Sequence, residues 1–204
     1  VSMSAAAERE TAVASSFPLA IPSGGTSQIV ASAPNPQDPV SKGWAKIQST
    51  GGAVWGVGTF QLEDLGFVLA AIGVLGSQPV EAATIPVDND DTLSKYVGFA
   101  IANPGSDGVS ITLTILDEQG REQDSVSPLE LNPLGAQRQV ARFLHEYLPS
   151  RSKFRGSMVL RAAGGRKFVV VALVQNQGRY AAIPIVPATP LLAPRNLQNL
   201  DTQK

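Results

Sequence analysis

Residues 155–175 read RGSMVLRAAGGRKFVVVALVQ, and residues 42–61 read KGWAKIQSTGGAVWGVGTFQ. The two stretches align with their Gly-Gly pairs, residues 164–165 and 51–52, in register. Each pair separates two runs rich in β-branched and aromatic residues, a pattern typical of two strands joined by a turn. The chain is therefore a tandem repeat, and we interpret both Gly-Gly pairs as hairpin turns.

The two copies are unequal in length. A match between residues 21–29 and residues 132–140 extends the likeness upstream, and Val1 aligns near Val109. Residues 84–104 consequently have no counterpart in the first repeat. A β module that lacks its first strands leaves unpaired N–H and C=O groups at a sheet edge. We expect the missing strands to come from another segment.

Length and composition predict two small β domains. The chain has 204 residues, of which 43% are hydrophobic, and the repeat favours two cores of about 100 residues each. We place an incomplete sandwich at residues 1–79, a complete sandwich at residues 80–187 and an extended tail at residues 188–204. The turn Gly76–Pro79 marks the boundary between the repeats.

Charge and cysteine content exclude several classes of function. There are 16 basic and 17 acidic residues, giving a net charge of −1, so we expect no nucleic-acid partner. The chain has no cysteine and therefore no disulfide or thiolate metal site. The longest apolar stretch, Leu65–Leu75, is shorter than the roughly 20 residues of a membrane-spanning helix. It predicts a buried strand, and from Val1 as first residue we expect that a leader was removed.

The second repeat has the clearest strand patterns. Residues 109–115 alternate apolar and polar side chains, as a strand with one buried face does, and residues 97–101 alternate in the same way. A turn at residues 117–120 leads into residues 124–131, which predicts three neighbouring antiparallel strands. Inward-facing Met158 and Leu160 and the later strands bring the count to about seven or eight, as in a sandwich.

One segment has a helical pattern. Residues 139–148 place apolar side chains at i, i+3 and i+4 before Pro149, which predicts a helix of about two turns over one end of the sandwich. In the first repeat prolines replace this pattern, and alternation predicts strands only. These lie at residues 1–7, 17–21, 27–31, 44–49, 54–61 and 67–75.

Four short motifs of the second repeat carry a resemblance to a known group of proteins. They are IPVDN at residues 85–89, GFAIANPG at 98–105, VARFL at 140–144 and FRGS at 154–157. Together they resemble β-sandwich modules near the C-termini of large secreted proteins from environmental bacteria, which are similar to fibronectin-like and immunoglobulin-like domains. The first repeat lacks the first two motifs. The resemblance implies an extracellular or cell-surface location and a non-catalytic role, with no assigned ligand.

Candidate catalytic and metal-binding residues are few. His145 is the single histidine and has no cysteine or second histidine to form a metal or triad set, so we expect a structural role. Residues 88–91 (DNDD) have enough oxygens for Ca²⁺ but lack EF-hand spacing, which favours a polar turn. Glu63-Asp64 and Asp117-Glu118 are acidic pairs in predicted loops. We expect no enzymatic activity and no cofactor.

Aromatic residues suggest one binding alternative. Trp44, Trp55, Phe60 and Phe67 could form a platform on which a sugar stacks, but Trp44 and Trp55 fall on strands that we expect to be paired. That placement favours packing in the core or between domains. A glycan-binding accessory module therefore stays open as an alternative function.

The sequence is best interpreted as an all-β chain of two tandem immunoglobulin-like antiparallel sandwiches with one short helix in the second. We expect a bacterial structural subunit that binds copies of itself by β-strand donation and forms a filament. The other possibility is a processed C-terminal piece of a larger surface protein. The predicted assembly residues lie in the first strand and the tail: Val1, Met3, Ala5, Leu191, Leu192, Leu197 and Leu200.

Overall fold

The computed structural model describes residues 2–7, 15–30, 43–64 and 67–188 of the chain. These residues form an all-β structure in which every strand pairing is antiparallel. The strands are β1 (Ser2–Ala7), β2 (Ser15–Pro18), β3 (Gly43–Gln48), β4 (Val57–Asp64), β5 (Phe67–Leu75), β6 (Ala82–Asp90), β7 (Lys95–Ala102), β8 (Ile111–Asp117), β9 (Glu122–Val126), β10 (Gln139–Phe143), β11 (Lys153–Ala162), β12 (Val169–Asn176), β13 (Arg179–Ile183) and β14 (Val186–Pro187). One short helix, α1 (Leu144–Tyr147), and 3₁₀ turns at Asp91–Leu93, Leu129–Leu131, Pro149–Arg151 and Ala163–Gly165 complete them.

The second repeat is a two-layer sandwich. One layer has the order β14-β6-β11-β8-β9, and the other has the order β10-β7-β12-β13. Between the named strands the layers join at one pair, Asp90 and Lys95, at the hairpin end of β6 and β7. Two isolated bridges, Val80–Phe168 and Val109–Leu134, also link segments that lead into the two layers. Consecutive strands β6 and β7 therefore lie in opposite layers, whereas the first two strands of an immunoglobulin constant domain are neighbours in one sheet.

The core lies between these two layers. Residues 111, 113 and 115 of β8 are buried and alternate with half-buried polar residues, which confirms the predicted strand and its inward face. Residues 97, 99 and 101 of β7 and Met158 and Leu160 of β11 are also buried, as predicted, although Gly98 and Val159 between them are buried as well. As expected, β8 is a central strand, since β11 and β9 pair with its two edges.

The first repeat reproduces part of this pairing pattern. Its strands form a sheet with the order β2-β1-β3 and a ribbon of β4 and β5. Met3 pairs with Ile47 on one side and Phe17 on the other, as Leu113 pairs with Leu160 and Val126. When Ile47 is aligned with Leu160, β1, β2 and β3 take the places of β8, β9 and β11. Met3 then aligns with Leu113, which moves the predicted alignment of Val1 near Val109 by two residues.

A glycine supports the same register. Gly156 of β11 pairs with Asp117, and a Cβ added at Gly156 would lie 2.1 Å from the carbonyl oxygen of Leu116. Only glycine fits where two strands approach so closely. Gly43 of β3 stands at the corresponding position, opposite Ala7. The Lys/Arg-Gly start shared by the two copies therefore has a structural cause in the second repeat.

The Gly-Gly segments are not hairpin turns, contrary to the prediction. Residues 164–165 join β11 to β12, which lie in different layers, and residues 51–52 join β3 to β4, which do not pair. Trp44 and Trp55 therefore do not stand on strands paired with each other: Trp44 lies on β3, which pairs with β1, and Trp55 lies outside the strands. The prediction that β7 neighbours β8 was also wrong, since β7 pairs with β10 and β12. Alternation identifies a strand but not its partner.

The predicted helix at residues 139–148 is mostly a strand. Residues 139–143 form β10, which pairs along β7, and only residues 144–147 are helical. The free edge of β7 supplies a row of backbone partners, which outweighs a weak local preference for a helix. Residues 27–30, predicted to begin a strand, form none. They align with β10, whose partner strand β7 has no counterpart among the described residues of the first repeat.

Candidate assembly site

The inner face of β3 faces solvent. In β11 the inward side chains Met158 and Leu160 are fully buried, whereas Ala45 and Ile47 at the corresponding positions of β3 are exposed. Ile47 is 44% exposed, against 0% for Leu160. Of the outward residues of β3, Trp44 and Lys46 are half-buried and Gln48 is exposed, so residues 43–47 show the inverse of the burial pattern expected for a strand over a core.

The first repeat has no closed core among the residues whose burial is described. None of residues 16–30, 43–59 and 71–81 is buried. The Ile47 side chain rests on Gly56, the residue before β4. A Cβ added at Gly56 would lie 2.5 Å from Cδ1 of Ile47, so β3 and the start of β4 approach each other here. Large apolar side chains are instead exposed, namely Phe17, Val30, Ile47, Trp55, Val57 and Leu75. We refer to the inner face of β3, to Phe17 in line with Ile47 across β1, and to the segment at Gly56 on which Ile47 rests as the open face.

Two strand edges border the open face. In the second repeat β6 covers the second edge of β11, and β7 covers the second edge of β12. In the described part of the first repeat no strand pairs with the second edge of β3 or of β4. Unpaired backbone groups beside exposed apolar side chains are what an added strand satisfies.

The predicted assembly residues fall in two places. Met3 and Ala5 lie on β1, the middle strand of its sheet, whose two edges already pair with β2 and β3. Val1, Leu191, Leu192, Leu197 and Leu200 lie outside the described residues. The start of the predicted tail is held, because β14 pairs with β6 and the Ala188 N–H donates to the Ala82 carbonyl at 3.0 Å. Ala188, the last described residue, therefore lies along this edge of β6.

Contacts join the outer side of the first repeat to the second. The Trp44 indole Nε1 donates to the Gln137 carbonyl at 3.3 Å, and β5 lies against β13. Trp44 therefore packs between the repeats, as the sequence predicted. Trp55 is 91% exposed and lies outside the strands, so the expectation that it packs in a core or interface was wrong. Phe60 lies on β4 and Phe67 on β5, and the structure describes only the backbone of these two residues.

His145 belongs to an aromatic cluster. Its ring centroid lies 4.7 Å from that of Tyr96 and 5.7 Å from that of Phe143. Within the described residues no group of three His, Cys, Asp or Glu side chains converges as a metal site would require. The His145 ring thus packs against Tyr96 of β7 and Phe143 of β10, which is the kind of structural role predicted for it.

The acidic turn at residues 88–91 is tied to protein groups. The Asp88 carboxylate accepts from Lys95 Nζ at 2.5 Å. Asp90 Oδ1 accepts from the Thr92 N–H at 3.0 Å and from its hydroxyl at 2.6 Å, and the hydroxyl bond is the main cause of a lowered Asp90 pKa. Buried Asn89 accepts from the Val97 N–H at 2.8 Å. These bonds close the turn between β6 and β7, which matches the predicted polar turn.

Asp117 plays the same part at the next hairpin. Its Oδ1 accepts from the N–H groups of Gln119 and Arg121, each at 2.9 Å, and these backbone bonds, that of Arg121 first, lower the Asp117 pKa. The neighbouring Glu118 is more than half exposed. Glu63 and Asp64 end β4, and their side chains are outside the description. The Asp117 carboxylate is thus engaged in the turn.

Sequence reasoning missed a polar cluster beside α1. The Arg142 guanidinium donates to Glu130 Oε2 at 2.9 Å, and the Tyr147 hydroxyl donates to the other oxygen of the same carboxylate. Burial, with Glu130 next to it, raises the pKa of Tyr147. The three residues come from separate elements, so no local sequence pattern marks them. They fasten the 3₁₀ turn Leu129–Leu131 to β10 and α1.

Comparison with protein-family models, with curated proteins and with solved structures finds no match to this chain. Among the described residues, no helix is both long enough and apolar enough to cross a bilayer. The open face is consequently the feature on which a function can be argued.

Proposed function

We propose that the chain is a non-catalytic structural subunit that assembles with copies of itself by accepting β-strands at the open face. The observation that carries the proposal is the contrast between Ile47 and Leu160, which hold the same register but differ in exposure, 44% against 0%. A bacterial extracellular or cell-surface location belongs to the same proposal.

The physical reason is the state of the two uncovered edges. Each leaves backbone donors and acceptors of β3 and β4 without a strand partner in the described part of the chain. An incoming extended segment forms main-chain hydrogen bonds with such an edge and buries alternate side chains in the groove. A head-to-tail contact of this kind propagates as a filament unless its rotation closes a ring.

The tail is the candidate donor. It follows Ala188, which lies along the outer edge of β6. Residues 189–204 would span at most about 55 Å when extended, a little under three times the length of the six-residue strand β3. Leu191, Leu192, Leu197 and Leu200 are its apolar anchors. Strand β1 is a poorer donor because both of its edges are paired.

Removal of residues 189–204 tests the proposal. The truncation keeps Ala188 and its bond to Ala82, so the second sandwich stays intact. We expect the full chain to form concentration-dependent polymers in sedimentation velocity and negative-stain images, and the truncated chain to be monomeric. A matched control replaces the four tail leucines by serine and keeps the tail length, and it should also be monomeric.

Two results would contradict this assembly. Polymers of the truncated chain would exclude the tail as donor. A full chain that stays monomeric at high concentration would favour completion of the first repeat by a segment of a longer polypeptide. Saturable glycan binding that is lost on replacement of the exposed Trp55 would instead favour the carbohydrate-binding alternative.

A further inference from the structure

We infer that the open face is a site for a two-stranded β-hairpin whose strands enter opposite layers and bury alternate apolar side chains, as β6 and β7 do in the second repeat. The inference rests on the proposed acceptor role of the first repeat and names the partner that fills the whole of it. A single strand, such as the tail, would satisfy only one of the two edges.

The register of the first strand follows from the repeat. Gly43, Ala45 and Ile47 of β3 correspond to Gly156, Met158 and Leu160 of β11. In the second repeat those three residues pair with Val87, Ile85 and Ala83 of β6, whose side chains are buried. The first strand of the partner therefore places apolar side chains opposite Gly43, Ala45 and Ile47.

The second strand covers the edge of β4 in the other layer. The counterpart of this second strand in the second repeat is β7, which pairs along β12 and buries Val97, Phe99 and Ile101. A short turn is needed between the two strands, because β6 and β7 are joined by only the 3₁₀ turn at residues 91–93 and its flanks. Once one strand is bound, the turn makes binding of the other an intramolecular step, which raises its effective concentration.

Residues 27–30 supply independent support for a second strand. They align with β10, a strand that pairs with β7 and with no other strand described. In the first repeat the same segment has no strand structure, and Val30 is 80% exposed. No strand takes the place of β7 among the described residues of the first repeat, which accounts for both facts. A bound hairpin would supply that partner, whereas a single strand on β3 would not.

The probe is a synthetic peptide of residues 80–104 of this chain, added to the intact chain. Position 48 corresponds to Arg161, which pairs with Ala82. The Ala82 carbonyl accepts from the Ala188 N–H, on the side of β6 away from Arg161. Ala82 and Arg161 are therefore a non-hydrogen-bonded pair, whose Cα atoms lie about 4.5 Å apart. That distance is within the range of a disulfide. The chain has no native cysteine. Gln48→Cys in the protein should therefore cross-link to an Ala82→Cys peptide.

Two control peptides test the register of binding and the number of strands that bind. A Thr84→Cys peptide shifts the thiol by two residues, about 7 Å along the strand, and should cross-link at least tenfold more slowly. A peptide of residues 80–93 provides one strand only. Hydrogen exchange with the 80–104 peptide should slow at β3, at β4 and at residues 27–30, whereas the one-strand peptide should slow exchange at β3 alone.

The outcomes separate this inference from the proposed polymer. Equal cross-linking by the two cysteine peptides would overturn the register. In-register cross-linking without slowed exchange at β4 and residues 27–30 would overturn the hairpin and leave single-strand donation standing. Hairpin binding by a chain that never polymerises would support the inference and reject only assembly with copies of itself.

Discussion

Alanine substitutions at Leu160 and Ile47 compare one register position in two repeats. Leu160 has 0% of its side chain exposed, and Leu→Ala at such sites costs about 2–5 kcal/mol through lost transfer energy and a residual cavity. Ile47 is 44% exposed. Because nearly half of that side chain is already in water, Ile47→Ala should cost at most about 1 kcal/mol in the uncompleted repeat.

Urea unfolding followed by two signals measures these costs. Both tryptophans, Trp44 and Trp55, lie in the first repeat, so indole fluorescence reports on that repeat, whereas circular dichroism reports on all strands. The midpoint of the dichroism transition should fall markedly for Leu160→Ala and little for Ile47→Ala. Gln48→Ala, on the outward side of β3, should stay within about 0.5 kcal/mol of the unsubstituted chain.

The result that would refute this reasoning is an equal loss of stability at the two positions under conditions where the chain is monomeric. It would mean that Ile47 is buried in solution and that the first repeat already has a closed core. Conversely, saturation with the hairpin peptide should raise the cost of Ile47→Ala toward that of Leu160→Ala, because the added strands would bury the side chain.

Three further predictions concern the second repeat. Leu113→Ala on the central strand β8 should cost about 2–5 kcal/mol and its outward neighbour Thr112→Ala at most about 0.5 kcal/mol, as measured by urea unfolding. Asn103→Ala removes an amide that donates to the carbonyls of Asp107, Leu134 and Gly135; since Asn103 is buried, thermal unfolding should show a loss of at least about 2 kcal/mol. The Asp117 pKa lies below its usual 3.8, so its stabilisation is present above about pH 4 and lost as pH falls through the folded-state value. Asp117→Asn should therefore reduce the acid dependence of the unfolding free energy below pH 4, and an unchanged acid limb would contradict the hydrogen-bond assignment.

The sequence predicted the strands of the second repeat well because their signal is local. Alternation at residues 97–101 and 109–115 marked β7 and β8 and the faces that they bury. The Gly-Gly alignment matches Ile47 with Leu160, and with that match the strand pairing sets Met3 in the place of Leu113. Alternating apolar and polar residues require only that one face of the strand is buried. The pattern is therefore the same whichever layer covers that face.

What the sequence missed depends on partners distant in the chain. The apolar spacing of residues 139–148 suits a helix, but residues 139–143 became β10 because the edge of β7 was available. The same dependence explains residues 27–30, where the aligned segment has no such edge and forms no strand. The cluster of Glu130, Arg142 and Tyr147 likewise joins side chains from separate elements.

The need for two strands makes the open face more selective than a single sheet edge. A slip of one residue turns every side chain of a strand to the opposite face, so a single donor strand has only to present its apolar residues on the correct face. Charges beside that strand add little selectivity, since exposed ion pairs contribute about 0–1 kcal/mol. A hairpin must satisfy that condition at β3 and β4 at once, with a turn no longer than the one that joins β6 to β7. Generic apolar segments can meet the first requirement, but few meet both, so an exposed apolar face that would otherwise invite aggregation can discriminate between partners.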